Sequence, residues 1–177
     1  HGEPMRDDDH YCGGYREYWE NVGGFNGSQG PIEIHFIDEV IPGYFWLFPV
    51  QEGVVNVGIG MVISEQRKQK GANKSLKKKQ KWVIESHPVF SERFKDAKLV
   101  EGSQKGWQLP FGSPRKKPPS FQPRRSAGAG VMCVGDAASL VDPFSGEGIG
   151  NGLLSAKMTA KHFDKVVHAD GFTEEAA

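Results

Sequence analysis

The run Val131-Met132-Cys133-Val134 closes on Gly135-Asp136-Ala137-Ala138, and Gly146, Gly148, Gly150 and Gly152 follow within a few residues. This feature constrains the fold more than any other. A continuous apolar run ending on Gly-Asp suits a strand buried on both faces of a parallel sheet. Glycines at the start of a helix cost about 1 kcal/mol each against alanine. A chain that keeps three of them there brings backbone close to a neighbouring strand or a ligand. The stretch therefore predicts a strand, a small-residue loop and a helix from about Glu147 to Val167. A carboxylate then stands at the strand's carboxyl end, where ligands of such sheets bind. Beside it the helix N-terminus presents unpaired N–H groups and positive potential.

Such a corner suits a ligand that carries hydroxyls next to an electron-rich ring, and a flavin dinucleotide meets that description. Asp136 could accept hydrogen bonds from ribityl hydroxyls, and it could equally be a turn or capping aspartate. Amides of Gly148 and Ile149 could stabilise negative charge on a flavin pyrimidine edge. The competing account is that the glycines serve helix packing alone.

The 177 residues hold 22 Lys+Arg against 22 Asp+Glu, so charge asks for no nucleic acid or anionic surface. Two cysteines, Cys12 and Cys133, make no disulfide scaffold and suit a reducing compartment, so a cytoplasmic location is expected. No apolar run approaches the roughly 20 residues that span a bilayer. His10, His87, His162 and His168 lack metal-ligand spacing. His35 reads as a surface histidine, Cys133 as a buried small hydrophobe and Cys12 as uncertain in exposure.

A polar lead-in to His10 precedes strand-forming residues from Tyr11 to Val22 and a glycine-rich loop over 23–30. Ile32, Ile34 and Phe36 alternate with Glu33, His35 and Ile37, as in a strand with one buried face. Tyr44–Val50 and Val54–Val62 predict a hairpin around Gln51-Glu52-Gly53. A three-residue loop sets Phe48, Trp46 and Tyr44 opposite Asn56, Gly58 and Gly60, so the rings border a bare trough. A two-residue loop sets them opposite Val55, Val57 and Ile59, an ordinary packed face. Both registers stay open at this point.

Glu65–Asn73 reads as an exposed loop, and Asn73 as the cap of a helix reaching Ser86. That helix has Leu76, Val83 and Ile84 inside and five lysines outside. His87-Pro88 breaks it before a short helix to Phe94. Ser103–Leu109 is a fifth strand. Ser113–Arg125, with four prolines and five cations, is a connection between lobes. Its Arg115, Lys116, Lys117, Arg124 and Arg125 read as a solvated loop, with a phosphate-bearing group as the alternative.

Gly135-Asp136-Ala137-Ala138 with Asp142-Pro143-Phe144-Ser145-Gly146-Glu147-Gly148-Ile149 resembles the second FAD-binding motif of the geranylgeranyl reductase family. Tyr44-Phe45-Trp46-Leu47-Phe48-Pro49 matches that family's Y-x-W-x-F-P substrate-cavity motif at every fixed position. Gly106-Trp107-Gln108-Leu109-Pro110 resembles the strand before its last FAD motif. The likeness covers about Tyr11 to Val167. The family's N-terminal G-x-G-x-x-G unit and upstream active-site cysteine have no counterpart here, so the chain resembles the second part of such an enzyme.

The resemblance implies an α+β fold: a mostly antiparallel substrate lobe over 1–112, the connection 113–125, and the terminal strand and helix of a Rossmann-like FAD domain over 126–177. It implies a FAD-dependent oxidoreductase that reduces C=C bonds of prenyl chains on lipid or diphosphate substrates, with NADPH or another reductant as electron donor. Gly135, Asp136, Pro143, Gly146, Gly148 and Ile149 would hold FAD, with Pro143 beside the ring. Tyr44, Trp46, Phe48 and Pro49 would line the prenyl cavity. A lipid substrate brings peripheral membrane contact into the expectation, and a surface built to meet a missing half brings self-association. The alternatives are a flavin-dependent monooxygenase or halogenase of the same fold, and an inactive fragment that only binds apolar ligands.

Overall fold

The computed structural model describes residues 8–25, 30–51, 53–71, 75–112 and 125–168. The chain divides into two compact units, Cys12–Gln108 and a second made of 1–11 with Leu109–Ala177. Among the described residues no helix is long and apolar enough to cross a membrane.

The first unit is a sheet in the order β2-β3-β4-β1-β5, with β6 also paired to β1. Its strands are β1 (Tyr11–Glu20), β2 (Glu33–His35), β3 (Gly43–Gln51), β4 (Val54–Val62), β5 (Lys98–Leu99) and β6 (Lys105–Pro110). The pairs β2–β3, β3–β4, β4–β1 and β1–β5 are antiparallel. Helices α1 (Ile63–Lys68), α2 (Leu76–Ser86) and α3 (Pro88–Phe94) complete the unit. Alternation along β3 and β4 buries Phe45, Leu47, Val55, Val57, Ile59 and Met61, and these pack with Val83 and Ile84 of α2 and Phe90 and Phe94 of α3.

Several local expectations change. The charged segment after Val62 forms α1 rather than a loop, because Ile63 is buried and anchors its first turn. Ser75 caps α2, its hydroxyl accepting from the Lys78 amide at 3.4 Å, while 72–74, Asn73 included, lie outside the described residues. Lys79 is not on the solvated face. It is buried and its ammonium donates to the Glu39 carbonyl. Burial pushes that ammonium below its ordinary range, against the pull of the Glu39 charge. The Ser113–Arg125 connection lies outside the described residues up to position 124.

The β2 pattern is inverted. Ile32, Ile34 and Phe36 are exposed, and it is Ile37 that joins the core. His35 is not a surface residue but half-buried, its ring 4.8 Å from that of Phe90. Its Nε2 meets Glu33 at 2.8 Å, and Arg93 of α3 grips the same carboxylate at 2.6 and 3.0 Å. A polar face can turn inward when charged partners wait there. Glu17 does the same on β1, accepting from the Tyr15 hydroxyl, the Trp19 indole and the Gln80 amide at 2.7–3.0 Å. Burial, then that carboxylate, push the Tyr15 phenol above its usual range.

The second unit holds β7 (Ala127–Gly128), β8 (Val131–Met132), a 3-10 turn over Gly135–Ala138 and α4 (Ile149–His168). The run at Val131 is not a strand buried on both faces. It pairs antiparallel with β7 over two residues, and Val131 is more than half exposed. Among the described residues no parallel neighbour flanks β8 to bury it. Cys133 follows β8 and is half-buried, whereas Cys12 is the buried cysteine.

Candidate functional site

The hairpin builds the candidate region of the first unit. Phe48, Trp46 and Tyr44 stand opposite Asn56, Gly58 and Gly60, the register expected from the longer loop. It is reached by another route: Gln51 pairs with Val54 across the turn, where Gly53 has φ +72°, and a bulge at Val50 shifts the pairing. Opposite residues in an antiparallel pair share a face. The face away from α2 and α3 therefore carries Ile34, Phe36, Tyr44, Trp46, Phe48, Asn56, Gly58 and Gly60, followed by Tyr18, Arg16 and Gly14 of β1.

Four rings run along this open face. Phe36 and Tyr44 are 6.2 Å apart, Tyr44 and Trp46 5.8 Å, and Trp46 and Phe48 lie stacked at 6.0 Å. Tyr44, Trp46 and Phe48 are half-buried and Phe36 is 62 % exposed. The glycine strip is not a bare trough. The Trp46 indole lies on it, so close that a Cβ on Gly58 would sit 2.1 Å from Cζ2. The Trp46 Nε1–H donates to Asn56 Oδ1 at 3.0 Å. At the far side Arg16 stacks over Tyr18 at 4.3 Å and donates to the Ser103 carbonyl. Pro49 pairs with Val55 and so falls on the other side of the strand, at the end of the row of rings. Ile34 and Phe36 were missed as members of this face, although their alternation with polar residues was visible.

A separate candidate region, in the second unit, is the loop before α4. Asp136 is exposed, and its carboxylate has no hydrogen-bond partner among the described residues. Its Oδ1 lies beside Gly148: a Cβ there would meet Asp136 at 3.2 Å and Val141 at 3.1 Å. Gly135 (φ +53°) and Gly152 meet backbone to backbone, since a Cβ on Gly135 would lie 3.4 Å from the Gly152 Cα. Packing thus accounts for Gly135 and Gly152, and also for Gly148, whose missing Cβ lets Val141 and the Asp136 carboxylate come close. Ser155 accepts from the Gly135 amide at 3.0 Å, and Asn151 donates to the Leu140 carbonyl at 2.8 Å. The loop 142–146 closes on Asp142, which accepts from the Phe144 amide and from the Ser145 amide and hydroxyl. Those bonds, the Ser145 amide foremost, hold the Asp142 carboxyl below its usual range. Glu147 accepts from the Gly150 amide at 2.6 Å. Asn151 and Ser155 were not singled out because each acts on backbone, which carries no pattern in sequence.

Ser155→Ala is expected to leave the Gly135 amide without its acceptor, at about 1–2 kcal/mol. Amide exchange at Gly135 should rise severalfold in that variant while β3 and β4 stay protected.

The geranylgeranyl reductase catalytic-domain family model matches residues 13–100, which contain the whole ring-bearing face. The chain belongs to the geranylgeranyl reductase family. A digeranylgeranylglycerophospholipid reductase of Picrophilus torridus is 33% identical to this family member over 133 residues, covering 75% of the chain and 29% of the relative. A menaquinone reductase of Mycolicibacterium smegmatis is 33% identical over 128 residues, covering 70% and 26%. The chain thus spans less than a third of the length of these curated relatives. Among solved structures, a geranylgeranyl bacteriochlorophyll reductase-like protein of Thermoplasma acidophilum superposes with a TM-score of 0.75 at 22% identity, over 97% of this chain and 38% of that one. A flavin-dependent brominase superposes with a TM-score of 0.65 at 18% identity, over 90% and 37%. These likenesses place the reductase-family chain in the fold used by flavin-dependent enzymes.

Proposed function

We propose that this chain forms the substrate face and part of the cofactor site of a FAD-dependent reductase acting on C=C bonds of prenyl chains. The observation that carries the reading is the coincidence of the family match with a row of half-exposed rings on the sheet face away from α2 and α3. The unit Cys12–Gln108 serves as the substrate lobe, and Ile34, Phe36, Tyr44, Trp46 and Phe48 lie along the chain of the substrate. The second unit contributes to FAD. Asp136, with its acceptors unspent, takes ribityl hydroxyls, the amides of Gly148 and Ile149 face the pyrimidine edge, and Pro143 flanks the ring. Gly135 and Gly146, both at positive φ, give the loop its path. The fit rests on Asp136, which is exposed beside Gly148 and whose carboxylate has no hydrogen-bond partner among the described residues.

FAD, when bound, supplies the hydride, with NADPH as the proposed electron donor. An isolated alkene is poorly polarised, so the protein's part is to hold it in near-attack geometry and keep water out. The aromatic face does the holding through dispersion and area burial. A lipid substrate makes peripheral membrane contact part of the proposal. The apolar side chains that α4 exposes, Leu153, Leu154 and Met158 among them, support self-association.

The gene product, reduced anaerobically with dithionite in the presence of FAD, is expected to add about 2 Da per bond to digeranylgeranylglycerophospholipid by mass spectrometry. Oxygen insertion or halide use under air with NADPH, without that gain, would sink the reductase reading. The halogenase alternative rests on shared fold alone.

A further inference from the structure

We infer that Asn56 is a positioning residue for the prenyl face: its amide oxygen latches the Trp46 indole onto Gly58, and the latched ring is the floor on which the substrate lies. The inference deepens the prenyl-binding reading and rests on it.

Three observations meet at this ring. The Nε1–H···Oδ1 bond to Asn56 is 3.0 Å and joins directly opposed strands, two positions from where Trp46 itself is paired. Gly58, the residue facing Trp46, offers bare backbone that the indole covers at a distance only glycine permits. Phe48 stacks on the same indole at 27° between planes, and Tyr44 meets it edge-on. The bond pins one edge of the ring, and Gly58 lets it lie flat. The neighbouring rings then fix the height of the row.

A half-exposed tryptophan held only by packing samples several rotamers. Each alternative rotamer of Trp46 lifts the indole away from the sheet and into the path of a chain lying along Tyr44, Trp46 and Phe48. The latch removes those states before the ligand arrives, so less ordering is left for binding to supply. Asn56 need not touch the substrate for this. Its role is in the free protein, where the indole N–H would otherwise turn to water. An acceptor of similar length should therefore replace it, and an isosteric apolar residue should not.

The test uses the whole chain, labelled with 15N, with the Trp46 indole resonance assigned by its loss in Trp46→Phe. In Asn56→Leu, exchange of the Trp46 indole N–H is expected to speed up about tenfold, while backbone amides of β3 and β4 keep their protection. Farnesol, titrated as the prenyl probe, is expected to bind that variant about tenfold more weakly than wild type. Asn56→Asp retains an acceptor oxygen and should keep both properties near wild type. Should Asn56→Leu fail to fold, Asn56→Ala carries the same measurements.

Unchanged indole exchange in the apolar variant overturns the latch. A released ring with farnesol affinity equal to wild type overturns its role as floor, and leaves the prenyl reading intact. Wild type that takes up no farnesol at all defeats the prenyl reading itself, and the inference with it.

Discussion

Gly58→Ala is expected to destabilise the first unit by about 3 kcal/mol, the upper end of what overpacking a fitted contact costs. The added methyl would lie 2.1 Å from Cζ2 and 2.3 Å from Cε2 of Trp46, well inside contact distance. The neighbour is the middle of a rigid ring pinned by Asn56, so it cannot give way by a small torsion. For a unit of this size the loss corresponds to a fall of roughly 15 °C in Tm. The indole must leave the sheet, so binding of a prenyl probe should fall in parallel. Removing the ring should cure the strain: Gly58→Ala placed in a Trp46→Leu background is expected to cost less than about 1 kcal/mol, a coupling a double-mutant cycle reads directly. Equal costs in both backgrounds would show that the ring is not what the methyl meets.

The second large effect concerns the inward polar cluster. Arg93→Met is expected to cost about 2–3 kcal/mol, because it leaves the Glu33 carboxylate in a largely dry place with the His35 ring as its remaining hydrogen-bond partner. Both partners of that ion pair are 19% exposed, which keeps the cost below that of a fully buried pair. The same change frees the Gly23 carbonyl, which accepts from Arg93 at 2.7 Å, and so loosens the loop after β1. Burial alone would raise the Glu33 pKa, but the hydrogen bonds and charges of Arg93 and His35 outweigh it and hold the carboxyl below its ordinary range. A carboxyl depressed in the folded state contributes stability above its unfolded pKa and loses it as pH falls through the folded value. Urea midpoints of wild type should therefore drop steeply between about pH 5 and pH 3, and those of Glu33→Gln should drop less. Parallel acid limbs would show that Glu33 does not carry the effect.

Much of this molecule was legible in order. The β3–β4 hairpin, the break at His87-Pro88 and the helix beginning at Ile149 follow from periodicity and turn chemistry, which act between near neighbours. The failures share a cause: a partner far away in the chain. Glu33 and His35 face inward because Arg93, 60 residues on from Glu33, arrives to meet them. Lys79 is buried because the Glu39 carbonyl is there to accept from it. At Val131 the apolar run promised a long central strand, and the described residues provide only the two-residue β7 to pair with it. The aromatic motif named three rings that do share one face, yet the fate of the trough depended on which way one indole folded. No rule of alternation decides that. Asp136 does stand beside Gly148, as the motif implies, whereas the loop's ties through Asn151 and Ser155 run to backbone atoms and leave no sequence trace.

The bulge at Val50 has a consequence for how this hairpin can change length. Pro49 pairs with Val55 and Gln51 with Val54, so Val50 is the supernumerary residue, half exposed and outside the ladder. Losing any residue from Tyr44 to Trp46 would exchange inside for outside over part of the strand, driving Leu47 into solvent. Deleting Val50 would instead regularise the pairing and leave every side chain on its present side. The bulged end of β3 is where an insertion–deletion event spares the parity of the sheet.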